Sequence, residues 1–294
     1  MRGRGYRSHR TGAIPRGGGG RVRAMNAVIW GCRGTLPAPG PTTVRYGGNT
    51  TCVAVETAEG RLVVLDCGSG MRLLGSALLP EPPAEIDILL THMHLDHVAG
   101  LGFFGPLFMN KTLRIWGPRL GDVPLADRLV DYLGPPLFPM PFSEIPVTLE
   151  VTEVERETWQ VGGLTVTSAP VQHPGGALGY RLEEGGRSVV FIPDNELGLD
   201  SDAGVELATG ADVLFHDAQY TAAEYPAKVG WGHTSVPDFV EFVRRTEPGR
   251  AFMFHHDPTH DDAMLEEMRD DASQRAGREI ELAAEGLELE VAGR

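Results

Sequence analysis

Along the chain, short runs of alternating or continuous apolar residues are broken by Gly, Pro and Asn every few positions. These runs predict strands over 26–31, 51–57, 61–66, 86–90, 112–116, 147–153, 163–168, 188–192, 212–215 and 251–254. Four other stretches, 69–78, 123–133, 236–246 and 260–271, place apolar residues at helical spacing instead. Ser235 and Pro237 supply a start signal for the third of them. No internal repeat and no Pro/Ser-rich linker divides the pattern. It implies one layered α/β domain over 25–294, with sheets inside and helices outside.

The first 24 residues break this pattern. They read MRGRGYRSHRTGAIPRGGGGRVRA, a Gly- and Arg-rich leader with almost nothing to bury, which is a composition of disordered chain. The leader lacks the apolar core of a secretory signal. Met25 directly precedes the first strand and is a candidate translation start. A nucleic-acid-binding arm is the functional alternative for 1–24.

Charge changes the picture further. The leader carries seven arginines and no acid, so from Met25 onward the net charge is −14 less these seven, or −21. A body that acidic does not draw in nucleic acid by long-range steering. A long polynucleotide substrate is therefore disfavoured, and capture of an anion falls to metal ions or a few placed cations. The three cysteines, Cys32, Cys52 and Cys67, form no CxxC, which fits a reducing, cytoplasmic setting without a disulfide framework. The longest apolar stretches fall short of the roughly 18–20 residues that cross a bilayer, so no membrane partner is expected.

The chemistry is concentrated directly after the apolar strand 86–90, in Thr91-His-Met-His-Leu-Asp-His97. Three imidazoles and a carboxylate within six residues suit zinc, manganese or iron. His92 and His94 can point together from an extended loop, while Asp96 and His97 turn toward a neighbouring position. Four ligands so arranged hold two metals more naturally than one closed tetrahedral site. Further donors stand at or just after other strand ends: His173, Asp194, and the pair His255-His256. Strand ends converge at one edge of a sheet, where ligand sites in α/β folds form.

This run resembles the H-x-H-x-D-H hallmark of the metallo-β-lactamase superfamily, and the resemblance extends over nearly everything from Met25 onward. It implies a four-layer αββα sandwich. It also implies two divalent metal ions, zinc foremost with manganese or iron as alternatives. His92, His94 and His173 would hold the first, Asp96, His97 and a late histidine the second, with Asp194 bridging. Asp66-Cys-Gly-Ser-Gly70 resembles the family turn whose aspartate supports the metal loop. His255-His-Asp-Pro258 is similar to the late motif of ribonuclease Z-like members, which selects His255 over His256.

Within the superfamily, Gly31-Cys-Arg-Gly-Thr35, Tyr46-Gly-Gly-Asn-Thr-Thr-Cys52 and Leu214-Phe-His-Asp-Ala-Gln-Tyr220 resemble the ribonuclease Z and cyclic phosphodiesterase branch. Gly232-His-Thr-Ser235 resembles the segment whose histidine donates a proton there, making His233 the candidate acid. His216 and Asp217 are either supports of the site or core-edge residues. The 20 residues between His173 and Asp194 leave no room for the transfer-RNA arm of ribonuclease Z.

The expected activity is therefore hydrolysis of a small cyclic phosphodiester or nucleotide. A hydroxide shared by the metals would attack, Asp96 would ligate and orient, and His233 would protonate the leaving oxygen. Alternatives are lactone, thioester or β-lactam hydrolysis on the same site, or ribonuclease Z-like processing of RNA 3′ ends. A di-iron redox protein is opposed by His94, where such relatives tend to carry glutamate, and by the lack of a flavin domain. A silent binding module is opposed by the intact ligand set. The apolar, Pro-rich segment 133–146 would wall the pocket or join two subunits in a homodimer.

Overall fold

The computed structural model describes residues 24–197 and 202–293. The expected leader, 1–24, lies almost entirely outside the described residues. The first half of the chain builds one seven-stranded sheet from β1 (Asn26–Gly31), β2 (Cys52–Glu56), β3 (Leu62–Leu65), β4 (Glu85–Leu89), β5 (Thr112–Pro118) and β6 (Thr148–Val154). Its far edge is completed by the last strand of the chain, β14 (Glu288–Glu290), giving the order β14-β1-β2-β3-β4-β5-β6.

The second seven-stranded sheet runs β13-β12-β11-β10-β9-β8-β7. It comprises β7 (Thr158–Val161), β8 (Leu164–Val171), β9 (Ala177–Glu184), β10 (Arg187–Ile192), β11 (Val213–Asp217), β12 (Arg250–Phe254) and β13 (Glu281–Leu282). Strands β10 to β13 are mutually parallel, so the chain leaves β10, β11 and β12 at the same edge.

Helices α1 (Met71–Leu78), α2 (Leu95–Val98) and α3 (Leu125–Tyr132) accompany the first sheet. Helices α4 (Asp202–Ala208), α5 (Val236–Thr246) and α6 (Asp262–Ala276) accompany the second. The molecule is a four-layer αββα sandwich.

A side-chain period of two accounts for the layering. In β10, Val189 and Phe191 enter the cluster between the sheets, while Val190 and Ile192 enter the cluster under α5 and α6. In β12, Phe252 and Phe254 face the other sheet, and Ala251 and Met253 face the helices. A strand buried on both faces reads as a continuous apolar run, which is how these segments read. Each fully buried phenylalanine contributes about 1.5–3 kcal/mol of transfer free energy. Tyr180 sews the sheets together close to the site, its hydroxyl donating to the Leu90 carbonyl at 2.7 Å.

Ten strand expectations and four helix expectations coincide with observed elements to within a few residues. Helix α5 starts where expected, because the Ser235 hydroxyl accepts from the Asp238 amide at its N-cap and Pro237 sits in its first turn. Helix α6 runs beyond the expected 271 to Ala276, and Gly277, at φ +67°, ends it. Strand β7 escaped notice because it is a four-residue edge strand with polar Thr158 and Gln160. Helix α2 escaped because it is only one turn long, Leu95–Val98, at the end of the histidine-rich run 92–97. Among the described residues, no helix is long and apolar enough to cross a membrane.

Candidate metal centre

The site forms where β4, β8, β10, β11 and β12 end. Strand β4 delivers the run 92–97, β8 delivers His173, β10 delivers Asp194, β11 delivers Asp217, and β12 delivers His255. The structure brings together His92, His94 and His173 in one group, and Asp96, His97 and His255 in a second. Donor atoms within each group lie within 4.8 Å of one another.

Asp194 stands between the two groups with one oxygen toward each. Its Oδ2 lies 3.7 Å from His92 Nε2 and 3.6 Å from His173 Nε2. Its Oδ1 lies 3.1 Å from His97 Nε2 and 3.2 Å from His255 Nε2. In the second group, Asp96 Oδ2 lies 3.1 Å from His255 Nε2 and 3.4 Å from His97 Nε2.

Four of these imidazoles are held by the same device. Each Nδ1 meets an oxygen outside the cluster, which directs Nε2 inward. His97 donates to Asp66 Oδ2 at 2.7 Å, His173 to the Gly232 carbonyl at 2.9 Å, and His255 to Gln219 Oε1 at 2.8 Å. These oxygens can only accept, so the proton sits on Nδ1. Thr91 Oγ1 lies 3.0 Å from His92 Nδ1 and donates to Asp66 Oδ2 at 2.8 Å, which leaves it an acceptor for His92. His94 differs: it is exposed, and its Nδ1 lies 3.0 Å from His173 Nε2.

Three residues around the cluster adopt the left-handed region that side chains rarely accept: Thr35 at φ +63°, Asp66 at +59° and His255 at +57°. Such strain persists where the surroundings over-determine a geometry. The Thr35 amide donates to Asp96 Oδ2 at 2.6 Å, and the Thr91 amide to Asp66 Oδ1 at 2.7 Å. Gly34 leaves the room that His255 needs, since a Cβ there would come within 2.3 Å of His255 Nδ1.

The neighbouring His256 turns away. Its Nε2 meets the Ala283 carbonyl at 2.9 Å, its ring approaches Tyr46 edge-on, and burial pushes its pKa down to about 3. His216 likewise leaves the site. Period two puts it on the helical face of β11, where it packs on Phe242 at 4.3 Å. Asp217, one residue on, faces the cluster. Its Oδ2 accepts from His233 Nδ1 at 2.8 Å, and His233 stacks on His255 with ring centroids 4.8 Å apart.

The electrostatics follow from burial. Desolvation lowers the pKa values of His92, His94 and His173, and the neighbouring imidazoles add to it, which keeps their ring nitrogens free to ligate. Burial alone would raise Asp96, but His97 and His255 hold it well below the carboxylate range. Burial would likewise depress His233, yet the charge and hydrogen bond of Asp217 lift it to about 9.

Residues 61–256, more than half of the chain, match the family described as the beta-lactamase superfamily domain. The chain belongs to the metallo-β-lactamase superfamily. Ribonuclease Z of Mycobacterium sp. (strain KMS) is 29% identical over 272 residues, covering 86% of this chain and 93% of that one. The metallo-β-lactamase fold protein YhfI of Bacillus subtilis superimposes with a TM-score of 0.70 at 18% identity, over 91% of this chain and 99% of its own. Human tRNase Z, short form, gives 0.66 at 20% identity, over 91% and 99%. At these identities the two structures speak for the fold alone.

As a member of this superfamily the chain is a metal-dependent hydrolase, and its donors fit divalent ions. Among the described residues, the buried atoms His92 Nε2, His97 Nε2 and Asp194 Oδ1 have no hydrogen-bond partner. His97 Nε2 and Asp194 Oδ1 approach each other to 3.1 Å. Buried polar atoms are rarely left unpaired, and three converging on one spot mark a place for cations. The supporting residues Thr91, Gln219 and the Gly232 carbonyl were not assigned from sequence. Gln219 lay inside a segment already singled out, but a glutamine's partner on a distant strand end leaves no local signal.

Proposed function

We propose that this hydrolase is a phosphodiesterase acting on small phosphodiesters, cyclic nucleotides among them, with two divalent ions at the site and zinc the foremost candidate. His92, His94 and His173 would hold one ion, Asp96, His97 and His255 the other, with Asp194 reaching both through its separate oxygens. Bound there, the ions would supply Lewis acidity and a nucleophile at neutral pH.

The observation that carries the choice of substrate is the pair His233–Asp217. A phosphodiester with an alkoxide leaving group needs a proton at the departing oxygen. His233 stands beside both metal-ligand groups, with its Nδ1–H committed to Asp217 Oδ2, which leaves Nε2 to carry that proton. The Asp217 carboxylate keeps the ring charged at neutral pH, and general acid catalysis of this kind contributes about 10²–10⁴-fold. Asp96 orients within the second group, its Oδ2 fixed by the Thr35 amide. Asp66 and Gln219 act only through the imidazoles they hold.

Small substrates are favoured by the acidic body and by the connection between His173 and Asp194. There β9 and β10 form a tight hairpin through Gly185 and Gly186, with Glu184 paired to Arg187, so no RNA-binding arm is inserted. The ribonuclease names of the relatives favour a second reading, processing of RNA 3′ ends. Self-association through the face bearing exposed Phe103, Phe108 and Leu137, next to Phe138, belongs to the same proposal, as does a cytoplasmic setting.

The test is an assay of metal-loaded protein on bis-(p-nitrophenyl) phosphate, 3′,5′- and 2′,3′-cyclic nucleotides, a precursor transfer RNA, a lactone and a β-lactam, with His92→Ala as the inactive control. Turnover of cyclic phosphodiesters that disappears in the control is expected. Cleavage of the RNA alone would favour the second reading, and cleavage of only the lactone or β-lactam would overturn both.

A further inference from the structure

The loop following the short turn Tyr225–Ala227 ends at Gly232, whose carbonyl receives His173 Nδ1, so it walls the site directly. Between Gly230 at φ +85° and Gly232 at φ +89° stands Trp231, 58% exposed. A Cβ on Gly232 would come within 2.3 Å of His173 Nδ1 and of Pro174 Cδ, so this backbone lies hard against the ligand loop.

A single exposed tryptophan is ordinary on a protein surface. This one is held by buried machinery. Glu196, only 3% exposed and two residues beyond Asp194, spends both carboxylate oxygens on the loop. Its Oε1 accepts from the Gly230 amide at 2.6 Å and the Tyr225 hydroxyl at 3.2 Å, and its Oε2 from the Gly232 amide at 2.8 Å. Burying a carboxylate for this purpose is costly unless its bonds are well made, and here three donors converge on it. The backbone on both sides of Trp231 is thereby pinned to the strand end that carries Asp194.

The indole has one face engaged. Lys228 Nζ lies 4.0 Å from the Trp231 ring and 5.6 Å from the Tyr220 ring. Tyr220 in turn stands edge-on to His233, ring centroids 5.9 Å apart. A chain of aromatic and cationic contacts therefore runs from the candidate proton donor through buried Tyr220 and Lys228 out to Trp231. Lys228 is one of only two lysines in a strongly acidic chain. It makes no ion pair among the described residues, and its cation–π contacts orient the indole.

Resting on the phosphodiesterase reading, we propose that Trp231, braced by Lys228 and anchored through Glu196, is a base-stacking platform that selects phosphodiesters carrying a nucleobase. Every base has a π-face, so the platform favours base-bearing over base-free substrates without choosing strongly among bases. Trp231 is the specificity residue, and Glu196 and Lys228 are positioning residues.

The test compares wild type with Trp231→Ala, Trp231→Phe and Glu196→Gln. The substrates are adenosine 2′,3′-cyclic phosphate and the base-free glycerol 1,2-cyclic phosphate. Alongside, tryptophan fluorescence is followed during titration with AMP and with ribose 5-phosphate. Trp231→Ala is expected to raise KM for the adenosine substrate about 10-fold or more, leave kcat and the glycerol substrate nearly unchanged, and abolish the AMP-induced quench. Trp231→Phe should restore most of the KM, and Glu196→Gln should give a weaker version of the alanine effect. Equal losses on both substrates, or an AMP quench that persists without Trp231, would overturn the platform. If no phosphodiester is turned over while the AMP quench remains and depends on Trp231, the phosphodiesterase reading fails and the platform stands.

Discussion

His233 Nδ1 and Asp217 Oδ2 lie 2.8 Å apart in a buried hydrogen bond, and the Asp217 carboxylate is itself fixed by the amides of Gln219 at 3.0 Å and Asn195 at 3.2 Å. These two amides fix the carboxylate and hold its Oδ2 against His233.

Asp217→Asn keeps the shape and removes the charge that holds His233 protonated. For an alkyl cyclic phosphodiester, whose leaving oxygen needs a proton, kcat should fall by about 10²-fold or more. For bis-(p-nitrophenyl) phosphate, whose leaving group departs without help, it should fall less than about 10-fold. Parallel kcat measurements on the two substrates check this, and equal losses would mean that the pair is structural.

Asp194 places one oxygen in each donor group, so removing its charge should weaken both. Elemental analysis of the purified protein is expected to give two divalent ions per chain, and one or none in Asp194→Asn. Chelation should lower the melting temperature of wild type, because ligands that bind only the folded state stabilise it, by about 4 kcal/mol at a thousand times Kd. The melting temperature of Asp194→Asn should respond little to chelator.

Among the described residues, the hydrogen bonds of Gln219 reach His255 and no other candidate ligand. Gln219→Leu should therefore lower affinity for the ion of the second group by about 10–100-fold and spare the first. Competition against a chromogenic chelator, resolved into two binding steps, would show this. A uniform loss in both steps would refute the assignment of Gln219 to His255 alone.

His216 bears on acid stability. Burial pushes its pKa down from 6.5 to about 4 in the folded chain, against the opposing pull of Asp217. Between those values the unfolded chain binds a proton that the folded one excludes. Stability is therefore complete above pH 6.5 and declines as pH falls toward 4, with a slope of up to about 1.4 kcal/mol per pH unit. His216→Phe, packing on Phe239 and Phe242, should flatten this part of the profile. Urea midpoints at pH 7 and pH 4.5 measure the difference, and an unchanged slope would assign the acid loss to other groups.

Much of the site was legible because its chemistry is local. His92, His94, Asp96 and His97 sit within one short segment, and three imidazoles with a carboxylate that close together after a buried strand suit a metal far better than a solvated loop. His173, Asp194 and His255 were legible at one remove, since each closes or follows an apolar run and parallel strands end at a common edge. Asp217 and His216 could not be separated by composition, but the strand period separates them: alternate residues of β11 face opposite layers, so one reaches the cluster and the other the helices.

By itself the sequence determined the layered α/β architecture, the run of candidate donors His92, His94, Asp96 and His97, and the acidic balance of the chain from Met25 onward. These rest on periodicity, local spacing and charge, which need no knowledge of what lies across the fold. Only the tertiary structure decided that His255 and not His256 enters the cluster, because the space left by Gly34 and the oxygen offered by Gln219 come from distant parts of the chain. It alone also placed Trp231 at the rim, since Glu196 captures that loop across more than thirty residues of chain. Adjacent residues carry identical local signals; packing contacts from elsewhere in the chain tell them apart.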